Sequence, residues 1–137
     1  MEVRLASSVV TDSSQRFPIR FTGANRSLRF IGITPSGSYV TVDDDVLRVR
    51  LGWTFKASLD RASVQSAALD HGPVGGWGAH GWNGQWLVNG SSSGIVRIEF
   101  EPAGHGRLLL VWLVKLRVLR VSVEDPEGLV ATLAPTS

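Results

Sequence analysis

The sequence contains no cysteine in 137 residues, which excludes disulfide frameworks, thiolate metal sites and cysteine nucleophiles together. Lysine is almost as scarce: only Lys56 and Lys115 stand against twelve arginines. That bias fits a GC-rich genome, and it equally fits a need for forked contacts to phosphate or carboxylate. Long apolar runs are missing as well. The longest, Leu108 to Val114, falls far short of the roughly 20 residues that span a bilayer. The N-terminus, MEVRLASSVVTDSSQ, has no charged-then-apolar run and no secretory cleavage pattern, so a cytoplasmic location is expected.

Catalytic and metal-binding patterns are also sparse. The only histidines are His71, His80 and His105, each in a glycine-rich stretch. Asp70-His71 with Ser91 to Ser93 can be forced into a triad, yet no GxSxG-type turn surrounds any serine. The histidine spacings match no ligand pattern, and Asp43-Asp44-Asp45 lacks the alternation of a calcium loop. The glycines of GPVGGWGAHG are not followed by Lys-Ser/Thr, so they make no phosphate cradle. No catalytic residue, metal or cofactor is expected.

What the sequence does have is period-two alternation. Hydrophobic residues make up 43% and charged residues 19%, the balance of a folded domain. Val3, Leu5 and Val9 form a candidate first strand; Phe17, Ile19 and Phe21 form a second, and Leu28 to Ile33 a third. Tyr39 to Val42 and Val46 to Leu51 read as a hairpin about the acidic turn at 43–45. Leu47, Val49 and Leu51 take its core face, with Arg48 and Arg50 outward. Gly52 then permits a tight reversal. Residues 57–70 read equally as an alanine-rich helix capped by Ser58 or as strand, turn and strand. The segment from His71 to Asn83 reads as a loop, followed by strands at 85–88 and 95–100 and a turn at 102–106. Leu108 to Val123 is too long for one ordinary strand, and its apolar phase slips near Leu119-Arg120, which predicts a bulge or turn. A terminal helix is predicted after Asp125, a good N-cap, with Pro126 in its first turn. Leu129, Val130 and Leu133 form its apolar stripe, and Pro135 ends it.

Tyr39-Val-Thr-Val with Leu47-Arg-Val-Arg, then Ser58-Leu59 to Val64, and above all Val121-Ser-Val-Glu-Asp-Pro-Glu-Gly-Leu129, carry a likeness. On these residues the chain resembles bacterial pleckstrin-homology-like domains, small proteins of GC-rich bacteria. The stretch WGAHGWNGQWLVNGSSSG looks like a subgroup signature. The resemblance covers roughly Ser38 to Ala134 and implies a mostly β fold. Its elements would be an antiparallel barrel, or two near-orthogonal sheets, with one short C-terminal capping helix. It also favours strand-turn-strand over 57–70. A single domain over 1–137 is expected, with 1–35 as an N-terminal extension or extra strands and 38–134 as the core. The fold hosts lipid, peptide and protein binding alike, so it does not name a ligand.

Two groups of residues are candidates for binding. Trp77, Trp82 and Trp86, with His80 among them, sit amid glycines, either as a cover for an open end of the sheet or as a ligand or partner surface. Arg16, Arg20, Arg26 and Arg29 occupy an acid-free stretch, as do Arg107, Lys115, Arg117 and Arg120. They are either solvated strand faces or an anion-binding patch. Arg48 and Arg50 are expected to be paired internally with acids, leaving any free patch to the N-terminal arginines. The expected function is a non-enzymatic binding or scaffolding module for a protein partner or an anionic ligand, with peripheral membrane contact left open. The alternative is a small-molecule-binding barrel or enzyme whose mouth is the loop 71–86. Nucleic acid is disfavoured, because net charge is only +2 and no recognition motif is present.

Overall fold

Alternation along each strand decides the architecture, because every second side chain must leave water on the same side of the sheet. The computed structural model describes residues 14–21, 37–72, 78–89, 91, 93–109 and 112–133, with backbone only at 78, 80 and 82. The candidate strands at 3–9 and 28–33 lie outside the described residues. Among the described residues there are nine strands: β1 (Gln15–Pro18), β2 (Ser38–Val42), β3 (Val46–Leu51), β4 (Phe55–Asp60), β5 (Val64–Leu69), β6 (Gly78–Trp82), β7 (Gln85–Asn89), β8 (Ile95–Leu108) and β9 (Trp112–Ser122). The helix α1 (Pro126–Leu133) follows them. Residues 57–70 are strand, a single 3-10 turn at Arg61–Ser63, and strand.

The protein is mostly β, a curled, barrel-like sheet with one short C-terminal helix. Its strands form one hydrogen-bonded path, β1-β2-β3-β4-β8-β9-β7-β6, with β5 paired to β8 beside it. The expectation of purely antiparallel pairing needs one amendment. β7 lies parallel to β9, because β9 returns from β8 into the space between β8 and β7. The inward residues form one core that includes Val40, Leu47, Val49, Phe55, Ile98, Leu119 and Val121. Helix α1 starts where the sequence placed it: the Gly128 amide donates to Asp125 Oδ1 at 3.0 Å, and Leu129 and Leu133 are buried.

Three sequence readings are corrected. The stretch from His71 to Asn83 is not all loop, since β6 occupies 78–82 and forms a hairpin with β7. Asn83 and Gly84, at φ 57° and 81°, make the two-residue turn that matches strand twist. Gly81 is required within β6, because a Cβ there would run into the Gln85 carbonyl oxygen. The predicted turn at 102–106 is instead the interior of β8, which runs unbroken for 14 residues. Gly104 allows this, since a Cβ at that position would strike Leu59. The phase slip of the last long stretch is real but lies earlier, at Arg117-Val118. There both amides donate to the Gly84 carbonyl, opposite a register shift between Glu99 and Gly104.

Candidate functional site

The register of five strands builds a surface that no single strand shows. Residues paired across neighbouring strands project from the same face. One such row reads Tyr39, Arg50, Lys56, Arg107, Leu113, each paired with the next. Arg50, Val49 and Leu51 alternate as predicted, so the arginine faces outward while the apolar pair is buried. The same holds for Lys56 between Phe55 and Ala57. Three cations thus stand side by side on three adjacent strands. Arg16, Thr41, Arg48 and Ser58 form the next row on the same face, and His105 pairs with Lys115 at its far side. No carboxylate stands in either row.

Internal pairing neutralises only part of this charge. Arg48 meets Asp43 at 3.2 Å, as expected. The amides of Asp45 and Val46 donate to Asp43 Oδ1, and these bonds, followed by Arg48, hold its carboxyl below the ordinary carboxylate value. The matching expectation for Arg50 fails: its Nε donates to the Gly52 carbonyl at 3.1 Å, and no acid meets it among the described residues. The reason is register, which places Lys56 and Tyr39 beside Arg50 and leaves the acidic turn at the other end of β3. Lys56, Arg107 and Lys115 are exposed and make no ion pair among the described residues.

Of the four N-terminal arginines, two lie among the described residues. Arg16 lies 4.1 Å over the Tyr39 ring. Arg20 is held elsewhere, donating to Ser93 Oγ and the Glu124 carbonyl and facing the Glu124 carboxylate at 3.9 Å. Arg26 and Arg29 lie outside the described residues. So does Trp77, together with the side chains of His80 and Trp82. Trp86 is buried, its ring centroid 6.4 Å from that of Phe55. One edge of Trp86 still reaches a cleft of about 330 Å³ that it shares with Asn83, Gly84, Val114, Lys115 and Arg117.

The acid of the forced triad, Asp70, is committed to other bonds. Asp70 Oδ1 accepts the Gly72 amide and its Oδ2 accepts Arg120 Nε, each at 2.7 Å. The Gly72 amide first, then Arg120 and the more distant Arg97, hold the Asp70 carboxyl below its ordinary value against the opposing effect of burial. Oδ2 fastens the end of β5 to β9, and Oδ1 closes the local turn to Gly72. Among the described residues, no group of three histidine or acidic side chains could hold a metal ion.

The chain matches no protein-family model, no curated protein and no solved structure. Its site rests on geometry alone. The row Arg50, Lys56, Arg107 was missed in the sequence because the three residues lie in separate alternating segments. Only the register between β3, β4 and β8 joins them. Within each of β3, β4 and β8 the sequence shows only one outward cation near one end.

Proposed function

We propose that this protein is a non-enzymatic binding module with a pleckstrin-homology-like core, engaging an anionic partner through the outer face of β3, β4 and β8. The observation that carries this reading is the cross-strand row Arg50, Lys56, Arg107. Like charges directly opposite one another destabilise a sheet, and three in succession invite an external anion. Residues that would compete for that charge are engaged elsewhere: Asp43 by Arg48, Asp70 by Arg120, Glu99 by Arg97. The interior is filled by apolar side chains, which suits a module that works on its surface. A cytoplasmic location belongs to the same proposal, in keeping with a chain free of cysteine.

The test is retention on heparin, a general polyanion, over a salt gradient. The wild type should be retained at low salt. The triple variant Arg50→Glu, Lys56→Glu, Arg107→Glu should elute in the void with its thermal midpoint little changed. Equal retention of the two would sink the reading.

A second reading places a small ligand in the cleft beside Trp86. The observation that favours it is the convergence of a tryptophan edge with Lys115 and Arg117, a setting for a flat molecule bearing a carboxylate or phosphate. Arg117→Ala should then abolish binding of such a ligand and leave heparin retention nearly unchanged.

A further inference from the structure

The first half of β9 has a strand on one side only. β8 pairs with Trp112 to Leu116, whereas β7 meets β9 only from Val118 onward. Upstream of Gln85 the chain turns away at Asn83-Gly84 into β6, on the far side of β7. The last bond between the two strands is made by the Gly84 carbonyl, which accepts the amides of both Arg117 and Val118. Beyond it, no strand among the described residues continues β7 alongside Trp112 to Leu116. A cleft of about 330 Å³ opens at that point, with Trp86, Asn83 and Gly84 on one wall and Val114, Lys115 and Arg117 on the other. A strand edge offers its amides and carbonyls to a newcomer, and an apolar edge does so most readily. This one carries the exposed Trp112 (58%) and Leu113 (64%). Its charges are of one sign: Lys115 and Arg117 are exposed and make no ion pair among the described residues.

We infer that this edge takes up an acidic, extended segment of a partner protein as an added strand. The inference rests on the binding-face reading above and names its partner. An added strand draws affinity from main-chain hydrogen bonds and selectivity from alternate side chains. Leu113 and Lys115 are paired with Arg107 and His105, so all four stand on the outer face. Outward side chains of the newcomer would therefore lie beside Leu113 and Lys115, with Arg107 and His105 one strand further in. Carboxylates at alternate positions suit that row. Arg117 lies across the turn at the mouth of the cleft, since a Cβ at Gly84 would come within 3.0 Å of its Nε. An apolar residue on the inward side of the newcomer would enter the cleft toward Trp86. The small ligand of the second reading would use only the Trp86 end of the cleft and leave the edge bare. A second copy paired through the same edge would crowd Lys115 and Arg117 of both chains onto one seam. A nucleic acid would meet the cations, but it has no ladder of donors and acceptors to match a strand.

The probe is an acetylated, amidated hexapeptide of alternating glutamate and valine, with its lysine–valine counterpart and heparin in parallel. Binding is read at low salt by calorimetry and by amide hydrogen exchange. The wild type should bind the glutamate peptide and not the lysine one. With peptide at about ten times its dissociation constant, the fast-exchanging amides within 112–116 should slow about tenfold, while those of α1 stay unchanged. Lys115→Glu combined with Arg117→Glu should weaken peptide binding about tenfold or more. The same variant should remain better retained on heparin than the charge-reversed triple variant of β3, β4 and β8. Should it misfold by circular dichroism, Lys115→Gln with Arg117→Gln serves in its place. Peptide binding with no slowing at 112–116 overturns the inference, and so does retention on heparin without peptide binding. Either result leaves the binding-face reading intact. A dimer in sedimentation that protects 112–116 without peptide gives the edge to a second copy and also overturns the inference. Binding to neither peptide nor heparin removes both readings.

Discussion

The two ends of β4 face opposite problems. At its Asp60 end, Arg61 donates to the carbonyls of Asp43 and Thr132, so the sheet, the 3-10 turn and α1 are tied together. Leu129 and Leu133 fill the interior there, and the helix leans on β5 and β8. At its Phe55 end no element covers the rim among the described residues, and Trp112 and Leu113 stand in solvent. A small sheet must bury its inner face or lose its core, so one end is closed by a plug. Among the described residues the other end stays apolar and uncovered at Trp53, Leu109, Trp112 and Leu113. The contrast is between a closed, packed end and an end whose apolar side chains stay exposed.

The strongest way to break that contrast is Leu129→Ala. A fully buried leucine on the plug should cost about 2–5 kcal/mol in chemical denaturation, cavity included. A loss below about half a kcal/mol would show that α1 does not close the barrel.

The pair Asp70–Arg120 sharpens the same contrast, because it fastens β5, one of the strands on which the plug leans. Asp70→Asn should cost about 1–3 kcal/mol near neutral pH, since both side chains are mostly buried. The Asp70 carboxyl titrates below its ordinary value of 3.8, so its contribution is present in full above that pH and fades as pH falls further. The wild type should therefore lose its advantage over the variant on the acid limb below about pH 3.8. A difference that stayed constant across that limb would contradict the assignment.

Much of this was legible in the sequence because it is local. The hairpin at 39–51 follows from alternation and an acidic turn, and α1 from Asp125, Pro126 and a spaced leucine pair. The path of β8 was not legible, since Pro102-Ala-Gly-His-Gly carries every local mark of a turn. Those glycines answer a tertiary demand, the close passage of Leu59, Phe55 and Ala57. The cationic row was obscured for the same reason. Arg107 lies 51 residues from Lys56 in its row (107 − 56 = 51), and nothing in either segment announces the pairing.

A smaller effect tests the start of the plug. Asp125→Ala removes the acceptor for the Gly128 amide and should cost about 0.5–2 kcal/mol, with Asp125→Ser restoring most of it. Equal losses in the two variants would mean that Asp125 does not act as a cap.

The smallest expected effect on stability is the most informative about the open end. Leu109→Gly relieves a left-handed leucine, which favours the variant by about 1–2 kcal/mol. It also removes the partly buried fraction of the side chain and adds backbone freedom to the unfolded chain, which together offset most of that gain. The net change should lie between zero and about 1 kcal/mol of stabilisation, read from urea midpoints at constant slope. If Leu109→Gly instead costs more than about 1 kcal/mol, the leucine is structural, and the open end is another part of the core.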